Sequence, residues 1–270
     1  MRFSFGLLLA IAIGLSLGLI GGGGSILAVP ILKYVVGVSA KEAIAMSLFI
    51  VGVVSLMGLI PHWQQGNVNF NIALIFIPPA MIGAFLGAKI TKLSFIDDTV
   101  QLVCFGIIML LASILMIRKA NQAVPNMTIR ESNNTLKIEA YNKKQQKYAH
   151  NIYQKLTIIL DGLGVGILTG FVGVGGGFLI IPALVLVGGI PMKKAVGTSL
   201  LIIAFNSVSG FLGYINQVKL DWVLMISFTA AATIGIFAGA YLSKTIDAKY
   251  LQKSFAYFVL VVAVFILIVR

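Results

Sequence analysis

Charge, cysteine and histidine are all scarce in this chain. Only 10% of its 270 residues are charged, against about 25% in ordinary soluble domains, so it lacks the polar surface of a water-soluble fold. Its single cysteine, Cys104, excludes a disulfide framework and a cysteine-ligated metal site. The two histidines, His62 and His150, are far apart and show no HExxH-type spacing, so no metal and no cofactor is expected. The acids are Glu42, Asp97, Asp98, Glu131, Glu139, Asp161, Asp221 and Asp247. All but Asp161 fall at expected helix ends or in a polar stretch. That leaves no buried acidic cluster to hold Na⁺ and no nucleophile–base pair for an intramembrane enzyme. Asp161, near the start of its segment, reads as a membrane-surface carboxylate, and His62, between Pro61 and Trp63, as part of an interfacial aromatic cluster.

Apolar sequence is what remains. Hydrophobic residues make up 59% of the chain, and stretches without any Asp, Glu, Lys or Arg run from Phe3 to Leu32, Ala43 to Ala88, Thr99 to Ile117, Gly162 to Met192, Ala195 to Val218 and Trp222 to Ser243. About 20 apolar residues suffice for one membrane crossing, so the longest of these must hold two. The expected class is an all-α polytopic membrane protein in the cell (cytoplasmic or inner) membrane. The net charge of +12 is concentrated in a polar stretch and at helix ends, where it sets topology; no nucleic-acid partner is implied. The amino-terminal segment resembles a signal peptide, but no small-residue cleavage site follows it, and it is read as part of the fold.

The chain also repeats itself. Aligning Pro30 with Pro182 brings residues 18–92 onto 170–244 without a gap, with roughly a third of the pairs identical. Matched pairs include Lys41 with Lys193, Ser47 with Ser199, Ser55 with Ser207, Gly58 with Gly210 and Lys92 with Lys244. The domain reading is a first membrane repeat over 1–117, a polar, basic, cytoplasmic linker over 118–156 and a second repeat over 157–270. Asn126-Met-Thr and Asn133-Asn-Thr match the glycosylation pattern, but a cytoplasmic linker is never modified there.

Each copy opens with an apolar segment interrupted by glycine: Gly18-Leu-Ile-Gly-Gly-Gly-Gly-Ser-Ile-Leu-Ala-Val-Pro30, and Gly170-Phe-Val-Gly-Val-Gly-Gly-Gly-Phe-Leu-Ile-Ile-Pro182. Three full helices follow in each, expected over about 41–60, 71–90 and 99–117, and over about 194–214, 220–243 and 251–269. If each broken segment is re-entrant, a copy crosses three times, the second copy is inverted, and the molecule has about seven to eight hydrophobic spans once the broken segments are counted with the crossing helices. That arrangement places more of the basic residues on the linker side than a parallel arrangement does.

Lipid offers no water to freed backbone groups, so such breaks persist only within protein or a wet cavity. A helix starting at a break points unpaired N–H groups and a positive dipole end into the gap, which suits an anion. The four-residue spacings Gly14/Gly18, Gly166/Gly170, Gly83/Gly87 and Gly235/Gly239 instead fit helix packing. Candidate substrate-binding residues are therefore Gly23, Gly24, Ser25, Gly175, Gly176 and Gly177 at the breaks, with Ser47, Thr198, Ser199 and Asn206 on the next helices. Ser199 and Asn206, seven apart, share a helix face. Lys41 and Lys193, each at the start of an equivalent helix, are vestibule candidates for drawing in anions.

The second break, with Lys193-Lys-Ala-Val-Gly-Thr-Ser-Leu200 after it, closely resembles the signature of the TauE/SafE family of membrane permeases. The first copy is a looser match, departing at Met46 where the second has Thr198. The resemblance implies export of small anions such as sulfite, sulfoacetate and related sulfur-containing anions. A negative-inside potential favours expelling a monovalent anion by about 2.3 kcal/mol per 100 mV, so export needs no coupling ion. The expected partners are thus a small anionic substrate and the lipid bilayer. The competing readings are a permease or channel for another small solute, and a non-transport membrane assembly factor.

Overall fold

The computed structural model describes residues 2–90, 98–122, 152–172, 177–215, 218 and 220–269. The described residues hold helices and no strand. The amino-terminal half comprises α1 (Arg2–Ile20), α2 (Gly23–Pro30), α3 (Ala40–Gln64), α4 (Phe70–Ile90) and α5 (Asp98–Gln122). The carboxy-terminal half comprises α6 (Ile152–Val172), α7 (Gly177–Pro182), α8 (Met192–Tyr214), α9 (Trp222–Thr245) and α10 (Ala248–Val269). Among the described residues five helices, over Lys41–Gln64, Phe70–Ile90, Met192–Tyr214, Trp222–Thr245 and Ala248–Phe265, are long and apolar enough to cross a membrane. This is a multi-pass helical membrane protein.

Local chemistry sets the helix ends. Ser39 and Glu42 form a capping box at the start of α3: Ser39 Oγ accepts from Glu42 N at 3.4 Å, and Glu42 Oε2 accepts from Ser39 N at 3.1 Å. Asn69 Oδ1 accepts from Ile72 N at 3.2 Å before α4, and Asp221 Oδ1 from Leu224 N at 3.0 Å before α9. These two caps occupy matched positions in the internal alignment. Helix α3 runs on past the expected Ile60 through Pro61 to Gln64: the proline withholds the N–H that Met57 O would accept, but its own carbonyl accepts from Gln65 N at 3.1 Å and the last turn closes. Helices α5 and α6 likewise extend to Gln122 and from Ile152, beyond the expected linker bounds. Their polar outer turns, with Arg118, Lys119 and Gln122 in one and Gln154 and Lys155 in the other, are good helix formers in water.

Both short helices widen into π turns, α2 over Ile31–Val36 and α7 over Ala183–Val187. Gly37 N donates to Leu32 O at 3.1 Å, and Gly188 N to Ala183 O at 3.0 Å. The chain then turns through Gly37 at φ 90° and Gly189 at φ 64°, values that favour glycine. Helix α2 folds back along α1: a Cβ on Gly24 would collide with Leu17, and one on Gly6 would lie 3.5 Å from Val36. The broken segment is thus a hairpin whose two ends lie together.

Helices α3 and α8 lie side by side at the centre and run antiparallel, with Leu48 against Gly210 and Gly58 against Leu200. Helix α1 packs on α9, and α6 on α4. A Cβ on Gly14 or Gly18 would strike the α9 backbone at Ala232 or Ile236, and one on Gly166 or Gly170 the α4 backbone at Ala80 or Ala84. Gly83, Gly87, Gly235 and Gly239 meet the partner backbone in the same way, so the glycines spaced by four are sites of close helix approach. Helices α4, α6 and α8 run parallel, since Ser209 Oγ donates to Met81 O at 3.0 Å and Gly170 lies at Ala84. They start on the side of the linker and end on the opposite side.

Helices α4 and α9 turn Leu74, Ile82, Val223, Ile226 and Ile234 outward, while Phe76, Phe228 and Ile50 are fully buried. Exposed Trp63 and Trp222 sit at opposite ends of the bundle, as aromatic belts at two membrane interfaces do.

Candidate solute site

The two broken segments meet. A Cβ on Gly22 would collide with the Gly177 carbonyl, and one on Gly177 would lie 2.8 Å from Gly22 Cα and 3.1 Å from Ser25 Oγ. Only glycine permits this approach of two backbones, because any side chain on either strand would occupy the other's place. Gly21, at φ +79°, brings the tip of the first hairpin within reach of α8, where a Cβ would lie 2.8 Å from Ser199 Oγ and 2.9 Å from Val196 Cα. The start of α2 at Gly23, Gly24 and Ser25, Gly177 of α7, and Ser199 of α8 therefore converge. Gly175 and Gly176 lie outside the described residues, as does most of the linker.

The hydroxyls are less available than their positions suggest. Ser25 Oγ donates to Gly22 O at 2.8 Å, Ser47 Oγ to Ile44 O at 2.8 Å and Ser199 Oγ to Val196 O at 2.7 Å. A serine that donates to its own helix in this way has no hydrogen left for an anion. Thr198 Oγ1 accepts from Asn69 N at 2.9 Å and so ties the loop before α4 to α8. Lys41 is exposed, and Lys193 Nζ donates to Lys244 O at 3.3 Å, binding the start of α8 to the end of α9.

Asn206 differs from all of these. It is buried, and both its amide nitrogen and its amide oxygen lack a hydrogen-bond partner. It lines a small pocket, with room for about one water, walled by Leu48, Ala84, Thr169, Gly170, Gly210 and Tyr214. Thr169 Oγ1 donates to Gly166 O at 2.9 Å, whereas the carboxamide of Asn206 has both a donor and an acceptor to spare in that pocket. No lining residue is charged. Nearby, Ser55 and Ser207, a matched pair on α3 and α8, are buried without partners. His62 is buried with Nε2 3.0 Å from Gly18 O, which fixes the end of α3 to α1; it is an internal contact, not a member of an interfacial cluster. Trp63, its neighbour, does stand at the surface, edge-on to Phe70 at 6.0 Å.

Thr169, Gly170 and Tyr214 are pocket residues that sequence reasoning passed over. Gly170 reads as packing and does pack on Ala84, and Tyr214 reads only as a helix end. No spacing signal announces that they share a wall. No group of three or more His, Cys, Asp or Glu that could hold a metal ion occurs among the described residues.

Helices able to cross a membrane, with an uncharged polar pocket between them, define a multi-pass membrane protein with space for a small polar group. Residues 6–266 match the family described as "Sulfite exporter TauE/SafE", and the chain belongs to that family. It is 32% identical over 258 residues to a Xylella fastidiosa protein named "Probable membrane transporter protein", covering 94% of this chain and 91% of that one. It is 26% identical to Bacillus subtilis YdhB, covering 92% of this chain and 93% of that one, and 26% identical to a Methanocaldococcus jannaschii protein, covering 93% and 92%; both carry the same description. No solved structure matches the chain.

Proposed function

We propose that the protein is a secondary transporter that exports small anions, foremost sulfite, sulfoacetate and related sulfur-containing anions, across the cytoplasmic membrane. The observations that carry this reading are the meeting of the two glycine breaks at Gly22 and Gly177 and, in a small pocket on the same central helix, a buried, unpaired Asn206. A helix start supplies N–H donors and a positive dipole end, and a carboxamide supplies a donor of its own, each of which suits an anion in a dry site. Gly23, Gly24, Ser25 and Gly175 to Gly177 contribute the backbone donors; Asn206 contributes the side-chain donor; Ser47, Thr198 and Ser199 shape the wall. Lys41 and Lys193 stay vestibule candidates.

The two copies are arranged as inverted repeats with re-entrant breaks. The antiparallel packing of the matched helices α3 and α8 supports this, because a rotation that reverses a helix must have its axis across the bundle, in the membrane plane. The polar linker then lies on the cytoplasmic side with the starts of α6 and α8.

Purified protein in liposomes, given a panel of sulfur oxyanions, carboxylates and halides, tests the function. Saturable flux of a sulfur oxyanion, lowered at least tenfold by Asn206→Leu and less by Ser199→Ala, is the expected result. A panel in which no anion moves sinks the reading. A second reading, a permease for a neutral solute, is favoured by the uncharged lining of the pocket, and it predicts flux of small neutral solutes in the same liposomes.

A further inference from the structure

The pocket at Asn206 has a counterpart in the other copy, and the two differ. In the internal alignment Asn206 matches Val54, Ala84 matches Ile236 and Tyr214 matches His62, and one residue before its start, at the same offset, Thr169 falls on Leu17. The counterpart is filled: a Cβ on Gly58 would collide with the Ile236 side chain and lie 3.4 Å from Leu200 Cδ1, whereas one on Gly210, its match in the pocket, would come no nearer than 3.2 Å to any atom, the nearest being one of Leu48. Ile236, Leu17 and Val54 are fully buried, and His62 holds Gly18 O at 3.0 Å. One half of the molecule thus has small or polar residues around a space, and the matching half has branched aliphatic residues in that space.

The two regions also face opposite ways. Tyr214 and Gly170 lie near the ends of α8 and α6, the side away from the linker, and His62 lies near the end of α3, on the linker side. Resting on the transport reading above, we infer that the Asn206 pocket is a solute subsite reached from the side opposite the linker, and that its linker-side counterpart is stoppered by Ile236 and Leu17. The pocket, with room for about one water, takes one edge of a small monoanion that keeps an acidic hydrogen, which among the anions proposed above selects hydrogensulfite over the sulfoacetate dianion. Such an anion gives a carboxamide both partners it lacks: its charged oxygen accepts from Asn206 Nδ2–H and its hydroxyl donates to Asn206 Oδ1. A dianion without a hydrogen would leave Oδ1 unpaired, and no cation lines the pocket to balance the second charge.

Cysteine accessibility tests this without needing the transported solute, so its failure and that of the liposome panel are separate results. In a Cys104→Ser background, Ala84→Cys and Thr169→Cys report on the pocket, and Ile236→Cys and Leu17→Cys on the counterpart. A membrane-impermeant methanethiosulfonate is added to one face at a time of oriented vesicles. The pocket cysteines should react at least tenfold faster from the face opposite the linker than from the linker face, and at least tenfold faster than the counterpart cysteines from either face. Adding Ala84→Ile to the Thr169→Cys protein supplies the counterpart's stopper and should slow labelling at least tenfold; the fold already accepts isoleucine at the matching place. Hydrogencarbonate should slow labelling of Thr169→Cys at least threefold at a concentration where sulfate leaves it unchanged. Equal rates from the two faces, faster labelling from the linker face, or two pocket cysteines that never react would overturn the access inference. Protection by sulfate as well, or by neither anion, would overturn the ligand class.

Discussion

Replacing Asn206 by leucine should make the protein more stable and less active, a combination that a structural asparagine would not give. Both polar atoms of its amide are buried and unpaired in the pocket wall. Each such orphan costs about 1–3 kcal/mol relative to a satisfied or absent group. One water has room to enter beside the amide and recover part of that, so the net gain for Asn206→Leu is about 1 kcal/mol. For a chain of this size that raises the midpoint of thermal unfolding by about 2–4 °C. The assay is tryptophan fluorescence on heating in detergent, wild type and variant at one scan rate, with flux of the transported anion measured on the same preparations. The expected pair of results is a higher midpoint and flux reduced at least tenfold. A midpoint lowered by several degrees with flux retained would refute the reasoning, because it would mean that the amide is bonded within the folded protein and does no work on a solute.

Gly177→Val puts a branched side chain where Gly22 Cα stands 2.8 Å from a Cβ, so it should sharply reduce the yield of monodisperse protein in size-exclusion chromatography. Gly189→Ala meets nothing within 4 Å but keeps a left-handed φ of 64°; it should fold, with stability lower by about 1 kcal/mol on the same thermal assay. Ser39→Ala removes one half of the capping box on α3 and should cost about 1 kcal/mol, while Ser39→Asp should not. Gly166→Leu would drive a side chain into the α4 backbone at Ala80, and proteolysis of the purified variant should be markedly faster than of the wild type.

The helices were legible because the bilayer dictates their length and the absence of charge marks them, and their order followed from the repeat. Their ends were less so: α3 continues through Pro61 to Gln64 although the proline withholds the N–H that Met57 O would accept, which a helix-stop rule does not foresee. The meeting of Gly22 with Gly177 was foreshadowed by two dense glycine runs in register, because a run denser than helix packing needs implies contact with something. The side-chain part of the site was half visible. Asn206 stood out as an amide in an apolar helix, but Ser47 and Ser199 looked equivalent to it, and only three-dimensional geometry shows their hydroxyl hydrogens turned back onto Ile44 and Val196. His62 was misjudged for the same kind of reason. Its neighbours Pro61 and Trp63 suggest an interface, yet the helix continues past it and turns its ring inward to Gly18, while Trp63 alone faces out.

Under the inverted arrangement, the departures from symmetry matter more than the symmetry. Two identical copies would give an inward-open and an outward-open form of equal energy, each the other turned over. Residues that differ between matched positions decide which form is lower. Ile236 and Leu17 fill the linker-side region completely, where Ala84 and Thr169 leave space on the other side. Burying one such aliphatic side chain is worth about 1.5–3 kcal/mol, and 1.4 kcal/mol is about a factor of ten in population. Two stoppers are enough to hold the linker side shut when no solute is bound. A solute that satisfies Asn206 returns stability to the other half, where the empty pocket leaves two polar atoms unpaired. The chemistry that makes Asn206 costly in the empty protein is therefore what lets a ligand bound there stabilise further the form with the linker side shut, and a Val54→Asn change in the counterpart should carry the cost without the pocket to recover it.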